Sequence, residues 1–415
     1  MKDLSQIDGI TDVSKRACGP FTRVVMEYEA KAAARIIVSY TEGDEDVLYL
    51  EKDANTFCWF VPGYVDGASR TGIEKIKYVT LEDKPAELKI VSLDFENVPA
   101  PSGDTSFIEN DFLKVGVRLI WGGGVNYIED KKCPVEGLKN LVNQYDTGRL
   151  IQQSYYGTGE CAENPDFRFG EFMGHNWCYN PVQGGDRGNK RSRLIDFKKT
   201  ADSIYIKAQP KDWGKVGWDT PSYMENTYIL GGEMIRVDNR FVDFSCWTHG
   251  CNTQELPAFY TVSYLRRFTW YDGVESWQGK PLAVRDDLNF WGLPEYSESC
   301  TFRIRKSSTE TWCAWVSPED DYGIGLYVPN IDVLKAGKFS YDGSKRPEDS
   351  STNYVAPLAR VRIISMKPIE YSYLITTGSI GDIREKFTAH KDFAANERLS
   401  EDHVSARIED DAPAY

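Results

Sequence analysis

Hydrophobic and polar positions alternate along most of this chain. The runs "TRVVMEYEA", "AARIIVSYTE", "EDVLYLEKD", "FCWFVPGYV", "IEKIKYVTLED" and "AELKIVSLDFENV" follow one another in the first quarter. Period-two alternation rich in β-branched and aromatic residues marks strands with one buried face, and turn residues break it every ~8–12 positions. The pattern predicts a small antiparallel β-sandwich over residues 20–98. "NVPAPSGDTS" then reads as a linker, because Pro, Gly and Ser interrupt regular elements. From 105 to 380 the alternation resumes in "FLKVGVRLIWGGGVNYIED", "DSIYIKAQP", "YMENTYILGGEMIRVDNRFVDFS", "AFYTVSYLRRFTWYDG", "YVAPLARVRIISM" and "IEYSYLITTGS". No helical segment breaks it, which predicts one large antiparallel β-sandwich. Residues 381–415 hold the best helical candidate, with Ile383, Phe387 and Phe393 at near-helical spacing, and a frayed tail. The predicted fold class is all-β.

Composition narrows the partners. The 415 residues carry a net charge of −14, which repels a phosphate backbone and an anionic lipid surface. Nucleic acid and membrane are therefore not expected. "NKRSR", Asn189 to Arg193, is too short to reverse that field. A neutral sugar is indifferent to it, whereas a polyanionic glycan requires a local basic patch. Nine scattered cysteines with no CxxC pair read as free thiols in a reducing compartment. The start "MKDLSQIDGITDVSKRACGP" has no apolar signal core, so the literal expectation is cytoplasmic. A secreted or periplasmic chain whose signal had been removed would read the same. HExxH, P-loop and GxSxG patterns are absent, and the "PEDD" turn alone does not make a calcium loop. No metal or cofactor is predicted, and the oligomeric state is not legible.

Dense polar segments carry the candidate chemistry. "YDTGRLIQQSYYG" packs Asp146, Arg149, Gln152, Gln153, Tyr155 and Tyr156 into one short run. Arg grips two oxygens at once, Gln both donates and accepts, and Tyr offers a flat face with a polar tip. Together they suit a hydroxyl-rich ring; the structural alternative is an Asp146–Arg149 pair that fixes a loop. "GHNWCYNPVQGGD" is a loop carrying His175, Trp177, Asn180, Gln183 and Asp186. "WGGGVNYIED" is either a hairpin or a place of close ligand approach. "RFVDFSCWTHGCNTQELPAFY" delivers His249, Glu255 and Tyr260. A buried Glu255 would have a raised pKa, as a general acid requires, and His249 could act as base or donor.

The succession "KVGVRLIWGGGVNYIED", "YDTGRLIQQSYYG", "NPVQGGD" and "THGCNTQELPAFY" resembles large bacterial carbohydrate-active β-sandwich proteins, and the galactose mutarotase-like supersandwich in particular. The resemblance covers about residues 105–380. It implies a sugar ligand, with Glu255 and either His249 or His175 acting on it. It leaves the small sandwich as an addition that binds carbohydrate or only packs.

These readings lead to a glycoside hydrolase on a poly- or oligosaccharide. Glu255 would be the acid, Asp186 or Asp146 the base or nucleophile, with Arg149, Asn180 and Gln183 on hydroxyls and Trp177, Tyr155 and Tyr156 stacking on sugar faces. The alternatives are a polysaccharide lyase on a uronate-containing glycan, using His175 or His249 with Tyr260, and a non-catalytic glycan binder. An aldose epimerase is a smaller possibility.

Overall fold

A computed structural model of the chain describes residues 7–18, 21–52, 54–61, 70–82, 88–99, 102–157, 170–172, 175–288, 300–339 and 343–393, the side chains of Lys15, 170–172 and 175–177 excepted. The protein is all-β, and a single α-helix, Ile380–Ala389, occurs among the described residues.

Two sheets form the first sandwich. One orders the strands Gly9–Ala17, Gly72–Thr80, Ala34–Tyr40 and Glu45–Leu50; the other orders Thr56–Phe60, Thr22–Ala30 and Leu88–Asn97. Alternation does the work expected of it. Along Ala34–Tyr40 every second residue is buried, and Ile36, Val38 and Tyr40 meet Val24, Met26 and Trp59 in one core.

The rest of the chain builds two larger antiparallel sheets face to face. The ten-stranded sheet runs Thr301–Arg303, Val333–Phe339, Thr352–Ile364, Thr248–Val262, Ile151–Ser154, Gly124–Asp130, Leu113–Arg118 and Thr105–Glu109, with Pro181–Val182 and Lys211–Asp212 off this path. The nine-stranded sheet is centred on Met234–Asp243 and Ile369–Gly378. Val117, Ile151, Phe259, Val355 and Val361 from the first meet Ile206, Val237, Phe241, Ile324 and Ile375 from the second. "WGGG" is a hairpin element: a 3₁₀ turn, Leu119–Trp121, followed by Gly122 and Gly123 at φ 55° and 76°. A Cβ on Gly122 would sit 2.0 Å from the Gln183 carbonyl oxygen, so close backbone approach, as well as φ, demands glycine there.

The nine-stranded sheet is covered on its outer side. Ile195, Tyr223, Val242 and Phe244 from it complete the core of the small sandwich. Arg23 locks the contact with hydrogen bonds of 2.7 and 3.0 Å to the buried Asp196, and Arg193 reaches Asp46 at 2.6 Å. Farther along, the helix lays Ile383 and Phe387 on Trp312, Tyr327 and Leu374. Its start is fixed by a capping box between Ser379 and Asp382. Phe393 lies beyond the helix end but packs on the same cluster.

Among the described residues seven cysteines are free, as expected: Cys18, Cys58, Cys133, Cys246, Cys251, Cys300 and Cys313. Cys178 departs from that expectation. It is disulfide-bonded, to a partner outside the described residues. No helix among the described residues is long and apolar enough to cross a membrane.

Candidate functional site

Strand alternation determines what the ten-stranded sheet shows to the outside. In Thr352–Ile364, Val355, Ala359, Val361 and Ile363 face the core. Tyr354, Ala356, Leu358, Arg360 and Arg362 therefore face out. Glu255 lies directly across from Leu358 on one side and Ser154 on the other, so it shares that outer face. A register shift between Glu255 and Phe259, spanning the cis Leu256–Pro257 bond, lets Glu255 and Tyr260 face the same way five positions apart.

The Glu255 carboxyl is the centre of this face. The Tyr156 hydroxyl donates to Glu255 Oε1 at 2.9 Å, and the Tyr354 hydroxyl donates to the same oxygen. Tyr260 lies with its ring 4.8 Å from that of Tyr354, and Phe339 flanks both. Burial pushes the Glu255 carboxyl above its ordinary value, against the hydrogen bonds of Tyr354, Tyr156 and Ser154 and the charge of Lys335. Burial also lowers Lys335, and the Glu255 charge opposes that shift. Tyr156 and Tyr354 are raised far above the usual phenol range, first by burial and then by Glu255. Glu255 itself is half-buried, while Ser154, Tyr354 and Ala356 beside it are buried, the last two in a small cluster with Ala258 and Cys300.

Other residues singled out by sequence have different surroundings. Gln153 is fully buried; its Nε2 donates to the Glu225 carbonyl at 2.9 Å and its Oε1 accepts from Tyr155 at 2.8 Å. Tyr155 stacks inside the core on Phe241 at 4.1 Å. Gln152 donates to the Thr147 carbonyl and accepts from Gly184 N–H. Gln183 donates to the Gly122 carbonyl and Asn226, and accepts from Gln153 N–H. Asn180 donates to the Tyr155 carbonyl at 2.6 Å. Asp186 is fully buried and accepts backbone N–H bonds from Gly188, Lys190 and Gly217. Asp146 caps its own turn at Gly148 and Arg149 and pairs with Arg149 at 3.6 Å, which is the loop-fixing alternative raised above. Arg149 also donates to the Ser350 carbonyl and lies over the exposed Tyr145 ring.

His249 does not join Glu255. His249 is buried and stacks on Tyr179, ring to ring at 4.9 Å. It is six residues from Glu255 on one strand, roughly 20 Å of extended chain. Tyr179 in turn donates to Asp243, whose carboxyl burial pushes up to about 6. His175 and Trp177 lie on a short strand, His175–Trp177, paired with Gly170–Phe172; their side chains are outside the described residues. Among the described residues no group of three or more His, Cys, Asp or Glu is placed to hold a metal ion.

The structure thus gathers Glu255, Tyr156 and Tyr260, and adds Tyr354, Lys335 and Arg360, which sequence reading passed over. The available signal was the alternation in "NYVAPLARVRIISM", whose outward positions Tyr354, Arg360 and Arg362 are polar or charged.

No protein-family model matches the chain, and no curated protein sequence matches it. Among solved structures it is similar to a galactose mutarotase related enzyme from Lactobacillus acidophilus, at 11% identity and TM-score 0.40, over 66% of this chain and 97% of that one. It is similar to a putative aldose 1-epimerase from Escherichia coli K12, at 9% identity and TM-score 0.39, over 66% and 99%. An alpha-mannosidase from Enterococcus faecalis V583 matches at 9% identity and TM-score 0.39, over 97% of this chain and 44% of that one. Overlap at this level assigns neither an activity nor a residue role, and the all-β class stands on the sheets themselves.

Proposed function

We propose that the protein acts on a glycan as a glycoside hydrolase, with Glu255 as the proton donor to the leaving oxygen. One observation carries this: a half-buried carboxyl, raised by burial, held by two tyrosine hydroxyls on the outer face of the ten-stranded sheet. A general acid must hold its proton and must be reachable; burial shifts Glu255 in that direction and leaves it half-exposed. Tyr260 and Phe339 supply an aromatic wall beside it. Burial and the Glu255 charge raise Tyr156 and Tyr354, the opposite of the shift a tyrosine base needs, which favours hydrolysis over a tyrosine-based elimination. Hydrolysis also needs a second carboxyl or a substrate group across the bond. Asp186 and Asp146 are occupied by backbone N–H groups, so the proposal rests on Glu255 alone. The disulfide at Cys178 supports work in an oxidising compartment rather than the cytoplasm.

The test is a product assay on a panel of glycans, following reducing ends and the ultraviolet absorbance of unsaturated uronates together. New reducing ends without that absorbance, lost in Glu255→Gln, are the expected result. Reducing ends with the absorbance would replace hydrolysis by elimination, and activity that survives Glu255→Gln would remove Glu255 from the chemistry.

A further inference from the structure

Arg360, like Arg35 and Arg191, lacks the carboxylate partner that most of the described arginines have. Arg23, Arg70, Arg193, Arg240, Arg266 and Arg267 each sit on a carboxylate. Arg360 is half-buried, and among the described residues its guanidinium has no ion pair and no hydrogen bond. It faces out of the ten-stranded sheet, opposite Thr253 and one outward position along from Leu358, the residue across from Glu255. Diagonal neighbours of this kind lie about 7–8 Å apart, within the reach of one sugar residue. A guanidinium keeps its charge at every working pH, so half-burying it without a partner costs free energy that a bound anion recovers. Lys335, on the next strand, places a second cation on the same face near Glu255. Arg362 continues the row outward. In a chain of net charge −14 this is the local basic patch that an acidic glycan requires.

We propose that the sugar held beside Glu255 carries a carboxylate, as a uronic acid does, and that Arg360 binds that carboxylate through a two-pronged hydrogen-bonded ion pair. The inference rests on the site reading above and narrows its substrate class. A neutral hexose would leave the guanidinium without a counter-charge; a uronate supplies one and aligns the glycosidic oxygen toward Glu255.

The experiment measures binding of defined oligouronides to Glu255→Gln protein by calorimetry, beside the same oligomers with their carboxyls reduced to neutral hexoses. Turnover of both series is followed with the wild-type protein. The expected result is a preference for the charged series of about 10- to 100-fold, abolished by Arg360→Ala and partly restored by Arg360→Lys. The preference should also shrink as salt is added. Equal affinity for the two series, no binding of either, or an Arg360→Ala protein that keeps the preference would overturn the assignment. Failure here is separable from failure of the hydrolase reading. Glu255-dependent turnover of neutral oligomers, untouched by Arg360→Ala, sinks only the uronate. Arg360-dependent binding of oligouronides with no turnover sinks only the hydrolysis.

Discussion

Gln153 and Tyr155 point into the large sandwich; Ser154 and Tyr156, their immediate neighbours, point out of it toward Glu255. The inward pair belongs to a closed network. Gln153, Gln183, Asn226 and Asn239 hydrogen-bond one another and the backbone of both sheets. Such a network replaces the water those amides gave up and fixes how the two sheets meet. The outward pair joins a cluster whose charges are under tension, with a carboxyl pushed up and an ammonium pushed down by the same burial. Two neighbouring dipeptide positions of one strand thus serve opposite ends, and alternation alone separates them. A dense run of polar residues is therefore two half-patterns, and only one of them holds Tyr156, the partner of Glu255.

Substitutions on the two sides should separate cleanly. The largest effect is expected from Glu255→Gln, which should lower kcat by about 10²–10⁴-fold while leaving the thermal midpoint unchanged or raised. A large fall in stability with it would merge the two classes.

Asp243 sharpens the comparison, because burial raises it too, to about 6 from 3.8, yet it is fully enclosed with Tyr179 and Ser245. A raised folded-state pKa means the native protein binds more protons than the unfolded chain between those values. Stability therefore falls as pH rises from about 4 to about 6, and the carboxyl's penalty is complete above that window. Asp243→Asn should gain on wild type by up to about 3 kcal/mol across the window, at 1.36 kcal/mol per pH unit. Denaturant unfolding at both ends of it measures this, and kcat should not follow.

Gln183→Ala should cost about 2 kcal/mol of stability, since it strips partners from Asn226, the Gly122 carbonyl and Gln153 N–H. The folded fraction should keep wild-type kcat; a selective loss of kcat would return Gln183 to the substrate. The smallest effect is assigned to Tyr354→Phe. Removing a hydrogen bond that lowers Glu255 raises that carboxyl further, so the alkaline limb of the activity profile should move to higher pH. The rate at the optimum should fall by roughly tenfold or less.

Much of the fold was legible because period two is a local signal. The strands of the small sandwich, the hairpin at "WGGG" and the helix carrying Ile383 and Phe387 all follow from neighbours in sequence. Glu255 was legible as a carboxyl between polar and apolar neighbours. Its partners were not, since Tyr156, Lys335 and Tyr354 arrive through strand pairing across about a hundred residues or nearly so. The bulge after Glu255 that turns Tyr260 to the same face has no local signature beyond Pro257. The closed network was misleading for a physical reason: amides that satisfy backbone and amides that bind sugar have the same composition, and only partner geometry tells them apart.

The strand order of the ten-stranded sheet also has a kinetic meaning. Ile151–Ser154, Thr248–Val262, Val333–Phe339 and Thr352–Ile364 lie side by side, so the carboxyl and the groups around it come together only after loops of tens to about a hundred residues close. Sheets paired over such separations form late and slowly. Local hairpins such as Leu113–Arg118 with Gly124–Asp130 can form long before them. In a refolding experiment, strand signal should therefore return ahead of activity, and a chain cut before residue 352 should hold hairpins but no working centre.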